Sequence, residues 1–87
     1  MAEQNADQNI AASFSVLAMS IASSAAMSLG LAPHPQSGKM EKDKAMAKFN
    51  IDLLVMLQEK TKNNLNDEEK RFLDSIVTDL QMKYLQA

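Results

Sequence analysis

Hydrophobic residues fall into three runs with helical spacing, separated by two breaks of different character. In the first run Phe14, Leu17 and Ile21 recur at intervals of three and four, and Ala25 continues their face. That spacing predicts one side of an α-helix. Ser13 stands where an N-cap would accept from first-turn amides. Gly30 stands where a left-handed C′ residue would end the helix, and Pro33 prevents its resumption. The reading is a helix over about 13–30. Ala32 to Lys39 contains both prolines and Gly38 and reads as a linker, with outer bounds 31–40, that constrains the first helix little.

The second run predicts a helix over about 41–61. Met46, Phe49, Leu53, Met56 and Leu57 form its main stripe; Ala47, Ile51 and Leu54, with Val55 beside them, form a second. A face this wide can touch two neighbours at once. Lys60 and Lys62 lie at its end, where positive charge complements the helix dipole. The next break, Lys62-Asn63-Asn64-Leu65, is as short as connections between antiparallel helices are. Asn63 suits a left-handed C′ position there. Asn66, with Glu69 three residues on, has the pattern of a capping box, and Asp67, Glu68 and Glu69 put acids in the first turn of a helix over about 67–85. Phe72, Leu73, Ile76, Val77, Leu80, Tyr84 and Leu85 make its broad apolar face, while Lys70, Arg71, Asp74, Thr78, Asp79, Gln81 and Lys83 are mostly solvent-side. The expected fold is all-α. It has three helices, the second and third an antiparallel hairpin, in bundle packing within an oligomer. Residues 1–12 read as a flexible tail and 13–87 as a single helical domain. The first helix could fold back on its own chain or be exchanged with another.

The stretch from Ile51 to Glu69, IDLLVMLQEKTKNNLNDEE, resembles DUF1844, a family of small bacterial proteins of unknown function. So do the serine- and alanine-rich first run ending Leu29-Gly30 and the segment Leu80-Gln81-Met82-Lys83-Tyr84. The likeness covers most of residues 13–85. The family pattern has glycine where Asn63 stands and a hydroxyl residue where Asn66 stands. Both replacements keep the roles of left-handed residue and N-cap. The resemblance implies a helical fold and brings no catalytic residue, substrate or cofactor.

Charge then sets the first run apart. No ionic residue occurs between Asp7 and Lys39. A membrane span needs about 20 predominantly apolar residues. Ser15, Ser20, Ser23, Ser24 and Ser28 dilute the run, and no Trp or Tyr flanks it as an interface anchor. Burial against protein is the better reading, and Ala18, Ala22, Ala25 and Ala26 would let a neighbouring helix come close. With 87 residues and no cysteine, the chain has a poor surface-to-volume ratio and no disulfide. Its histidine and cysteine content also excludes a structural zinc site. Burial against a partner chain is the remaining source of stability. A net charge of −2 favours no partner of either sign. No positively charged n-region precedes the apolar run, so the expected location is the cytoplasm.

Candidate chemistry is sparse. His34, the one histidine, lies between two prolines and reads as an exposed linker residue without catalytic or metal-binding partners. Asp52 reads as a solvated helix carboxylate pairing with Lys48 four residues before it. Asp67, Glu68 and Glu69 fan around a helix start rather than converging on a cation. The basic residues of Lys39 to Lys48 are too few for a nucleic-acid face, and the aromatic residues have helical phases that suggest burial. Met27, Met46, Met56 and Met82 are expected to fill the core, the rival reading being an exposed peptide groove. No catalytic, cofactor-binding or metal residue is assigned, no cofactor is expected, and the protein is read as a non-enzyme. The function expected is structural or protein-interaction, through self-association of apolar helix faces into a homo-oligomer or with another protein. The alternative is a peripheral membrane-associated or small apolar ligand-binding protein.

Overall fold

A computed structural model describes residues 13–34 and 36–87. It has three helices, α1 (Phe14–Ser28), α2 (Lys44–Lys60) and α3 (Asp67–Gln86). The tail expected over residues 1–12 lies outside the described residues. Most helix ends fall where the sequence puts them because the caps are local chemistry. Ser13 accepts a 3.2 Å bond from the Val16 amide. Asn66 Oδ1 accepts from the Glu69 amide at 2.8 Å while Glu69 Oε1 accepts from the Asn66 amide at 3.0 Å, closing the capping box. At the end of α1, Gly30 has φ +77°. Its amide donates to Met27 O at 3.0 Å and the Leu31 amide donates to Ala26 O at 2.9 Å. These two bonds are the Schellman pair that satisfies the last carbonyls of a helix.

Two details differ from expectation. The second helix starts at Lys44, three residues later than the expected Glu41, because Asp43 caps it by accepting from the Met46 amide at 3.1 Å. The linker is also more constrained than its composition implies. Leu29 and Lys42 form an antiparallel bridge, and the Asp43 amide donates to Ser28 O at 2.7 Å. Within it the His34 amide bonds Lys39 O and the Gly38 amide bonds His34 O. α1 therefore turns back immediately onto α2 of its own chain.

The connection between α2 and α3 behaves as its short length requires. The Asn64 amide donates to Thr61 O at 2.8 Å, and Asn63 adopts φ +70°. Asn63 is thus left-handed as read, though it sits in a turn two residues beyond the Thr61 cap rather than directly after it. Asparagine tolerates this region less well than glycine. Replacing Asn63 by glycine should raise stability by up to about 1 kcal/mol, and by valine lower it by at least as much, as read by urea unfolding of both variants.

α2 and α3 run antiparallel. Gln58 Nε2 donates to Asp74 Oδ1 at 3.0 Å near the turn, and Lys44 Nζ lies 4.6 Å from the Tyr84 ring centroid at the far end. α1 rests on both, with more of its contact on α2. The assembly measures 37 × 36 × 15 Å, so its thinnest dimension is only the depth of two packed helices. The core is correspondingly small. It comprises Ala18, Ala22, Ala25 and Leu29 of the α1 side, Ala47, Ile51 and Leu54 of α2, and Leu73, Val77 and Leu80 of α3. Four of these ten are alanines.

Candidate interaction surface

The buried faces are not the ones that hydrophobicity alone selects. In α1 the core line is Ala18, Ala22, Ala25 and Leu29; Phe14 and Ile21 are half-buried, and Leu17 is 49% exposed. In α2 the expected main stripe faces outward: Met46 is 48% and Phe49 55% exposed, and Met56 is also exposed. The stripe read as secondary, Ala47, Ile51 and Leu54, is the buried one. The reason is shape. α1 presents small residues to α2, and an alanine-lined contact allows closer approach than one carrying Met and Phe. The expectation that the alanines of the first run permit close packing is met for Ala18, Ala22 and Ala25. The expectation that the methionines fill the core is not, since Met46, Met56 and Met82 are exposed and Met27 is half-buried. Nor is the burial expected for Phe49.

The result is an apolar surface shared by α1 and α2. A depression of about 400 Å³ joins Ser24, Met27 and Ser28 of the first helix to Met46 and Asn50 of the second. On the outer side of α1, Val16, Met19, Ser20, Ser23 and Met27 line a shallow groove of about 630 Å³ bordered by Phe72. No side chain of α1 is ionic, and Met46, Phe49, Leu53 and Met56 follow one another along α2 without a charge between them on that face.

The rest of the surface has a different character. α3 turns outward Lys70 paired with Asp74 at 2.8 Å and Lys83 paired with Asp79 at 3.0 Å, and α2 carries Lys48 and Asp52 at 2.9 Å beside Phe49 and Met56. All three are i,i+4 pairs with solvated side chains, a geometry that contributes little to stability. Hydrogen bonding from Lys70, followed by that from Gln58, holds the Asp74 carboxyl below the ordinary aspartate range. Bonding to Asp52 raises Lys48 above the ordinary lysine value. Asp52 is therefore the solvated, paired carboxylate that its spacing suggests.

The other sequence candidates fall as follows. His34 belongs to a hydrogen-bonded turn, with Nδ1 accepting from the Gln36 amide at 3.2 Å, and is half-buried rather than fully exposed. It borders the same depression as Glu41 and Asp43. Asp43 is already engaged at the α2 cap and Glu41 accepts from Ser37 Oγ at 2.6 Å. Among the described residues no group of three or more His, Asp or Glu side chains is placed to hold a metal ion. Asp67, Glu68 and Glu69 occupy the first turn of α3. Asn50 is the one residue of interest that sequence reading passed over. It is a buried amide on the boundary between the two apolar stripes of α2, and its position four residues after Met46 in an apolar helix was the available signal. Among the described residues no helix is long and apolar enough to cross a membrane.

No curated protein matches the chain, and no solved structure does. The model of one family, described as a domain of unknown function (DUF1844), matches residues 11–86. That match takes in all three helices and the turn formed by the Lys60 to Glu69 segment, and the chain belongs to the DUF1844 family.

Proposed function

We propose that this protein is a non-catalytic interaction module, working in the cytoplasm as a homo-oligomer whose subunits meet through the α1–α2 face. The observation that carries the reading is the division of its surface. Exposed large apolar residues include Val16, Leu17 and Met19 of α1 and Met46, Phe49 and Met56 of α2, while α3 presents solvated ion pairs alongside exposed Met82 and Leu85. Contiguous apolar patches of this kind mark association surfaces, whereas scattered single apolar residues do not. Helix pairs meeting there would thicken a body that is only two helices deep.

Sedimentation equilibrium or native mass spectrometry tests the reading. The parent chain should be a dimer or a larger closed oligomer at micromolar concentration. Phe49→Asp places a carboxylate in the middle of the face, at a position exposed in the monomer, and should weaken association at least tenfold while leaving the helical circular dichroism intact. Arg71→Glu on α3 should leave the mass unchanged. A parent chain that stays monomeric at 100-fold higher concentration would refute the proposal.

A further inference from the structure

Methionine is among the residue types most often buried, yet this fold keeps its methionines out of the core. Of the seven, six lie among the described residues: Met19, Met27, Met40, Met46, Met56 and Met82. Met27 is half-buried and the other five are exposed, from 39% at Met56 to 62% at Met40. Alanine, leucine, isoleucine and valine fill the core without them. We propose that the thioethers of Met19, Met46 and Met56 are sites of reversible oxidation by hydroperoxides, which sets the polarity of the α1 and α2 surface while the fold is retained. The inference goes beyond the association reading and needs no second copy.

The composition leaves a peroxide few other targets. The chain has no cysteine and no tryptophan, so no thiolate competes for the oxidant. In the reaction a lone pair of the methionine sulfur attacks one oxygen of the hydroperoxide. The S–O bond forms as the O–O bond breaks, and the sulfur gives up two electrons. The oxygen now on sulfur passes its proton to the leaving oxygen, which departs as water or an alcohol. The return step takes two electrons from a pair of thiols, which close to a disulfide as the oxygen leaves as water.

Position decides the consequence. A sulfoxide inside a core breaks packing, whereas at an exposed site it turns an apolar patch into a hydrogen-bond acceptor. Met19 lines the outer groove with Val16, Ser20 and Ser23. Met46 lines the depression with Ser24 and Ser28. Neither they nor Met56 belong to the core or to the residues packed against it, so all three can gain an oxygen without displacing a buried neighbour.

A peroxide time course followed by peptide mass spectrometry, at the lowest workable protein concentration, tests the proposal. Met19, Met46 and Met56 should convert within threefold of the rate of Met40, the most exposed of the set. Leu54→Met, a volume-conserving change at a fully buried site, supplies the opposite reference. Its thioether should lag at least tenfold until urea unfolds the chain. The oxidised parent should keep its helical circular dichroism and a single cooperative melt, and should elute earlier from a hydrophobic-interaction column. A methionine sulfoxide reductase with a thiol reductant should restore the original elution. The triple variant Met19→Leu, Met46→Leu, Met56→Leu should shift on oxidation by less than half as much as the parent. Loss of helix on oxidation, a tenfold lag of the three sulfurs behind Met40, or an elution shift that the triple variant reproduces in full or the reductase fails to reverse would each overturn the proposal.

Discussion

Replacing Leu54 by alanine is expected to cost about 3 kcal/mol of folding free energy, the mid-range for a large-to-small change at a fully buried aliphatic site. Leu54 and Leu73 are the largest side chains that the fold buries completely. Leu54 sits on the α2 face that touches both other helices, so its removal opens a cavity where all three meet. The flanking residues, Ala47 and Ile51 on its own helix, are too short or too rigid at Cβ to fill it. For a domain of this size each kcal/mol moves the melting temperature by about 4–8 °C, so the variant should melt more than 10 °C lower. The measurement must compare parent and variant at one protein concentration, because self-association would make the transition concentration-dependent. An exposed control, Met82→Ala on α3, should stay within about 0.5 kcal/mol of the parent. A Leu54 variant that melts with the parent would mean that the three helices do not share a packed centre.

Ala25→Leu is expected to be comparably damaging, by about 2–3 kcal/mol, for the opposite reason. Ala25 is fully buried, and the added branched chain has no space to enter. Overpacking of this kind forces a side chain off its rotamer or drives the backbones apart. On intrinsic helix propensity alone the change is almost neutral, so the predicted loss isolates packing from local preference. Amide hydrogen exchange would read where the damage falls. Protection should drop along α1 and persist in the α2–α3 hairpin, which has its own cap, turn and Gln58–Asp74 bond. Unchanged protection across α1 would show that its alanines are not the contact that holds it. Uniform loss would show that the hairpin has no independent stability.

Alanine contacts also explain what the sequence could and could not reveal. Ser13, Gly30 and the Asn66–Glu69 pair identify helix ends because capping depends on residues within one turn. The turn at Asn63 and the antiparallel hairpin follow from the same local logic. The identity of the inward face does not. α2 carries two apolar stripes roughly 130° apart around its axis, one of Met46, Phe49, Leu53 and Met56 and the other of Ala47, Ile51 and Leu54. Transfer free energy favours burying the first, and the structure buries the second. What decides is the shape of the surface α1 offers, a property of two helices together that no single-helix periodicity contains. The start of α2 is less legible, because Glu41-Lys42-Asp43-Lys44 carries no apolar spacing and only the Asp43 cap marks the first turn. The interaction surface itself was half legible. The absence of charge from residues 13–31 is plain in the sequence, but that it joins Phe49 and Met46 depends on which face of α2 turns inward.

The bridge between Leu29 and Lys42, with the Asp43 amide on Ser28 O at 2.7 Å, means that the intervening residues leave and re-enter the fold at one spot. Whatever happens at the tip near Gln36 to Met40, all exposed, is insulated from the helices by that closed neck. Lengthening such an excursion twofold costs only about 0.6 kcal/mol in chain entropy. Relatives can therefore differ there in length without disturbing what lies beneath, and an affinity handle or fluorophore inserted at Gly38 would report on the folded protein from a position the helices do not feel.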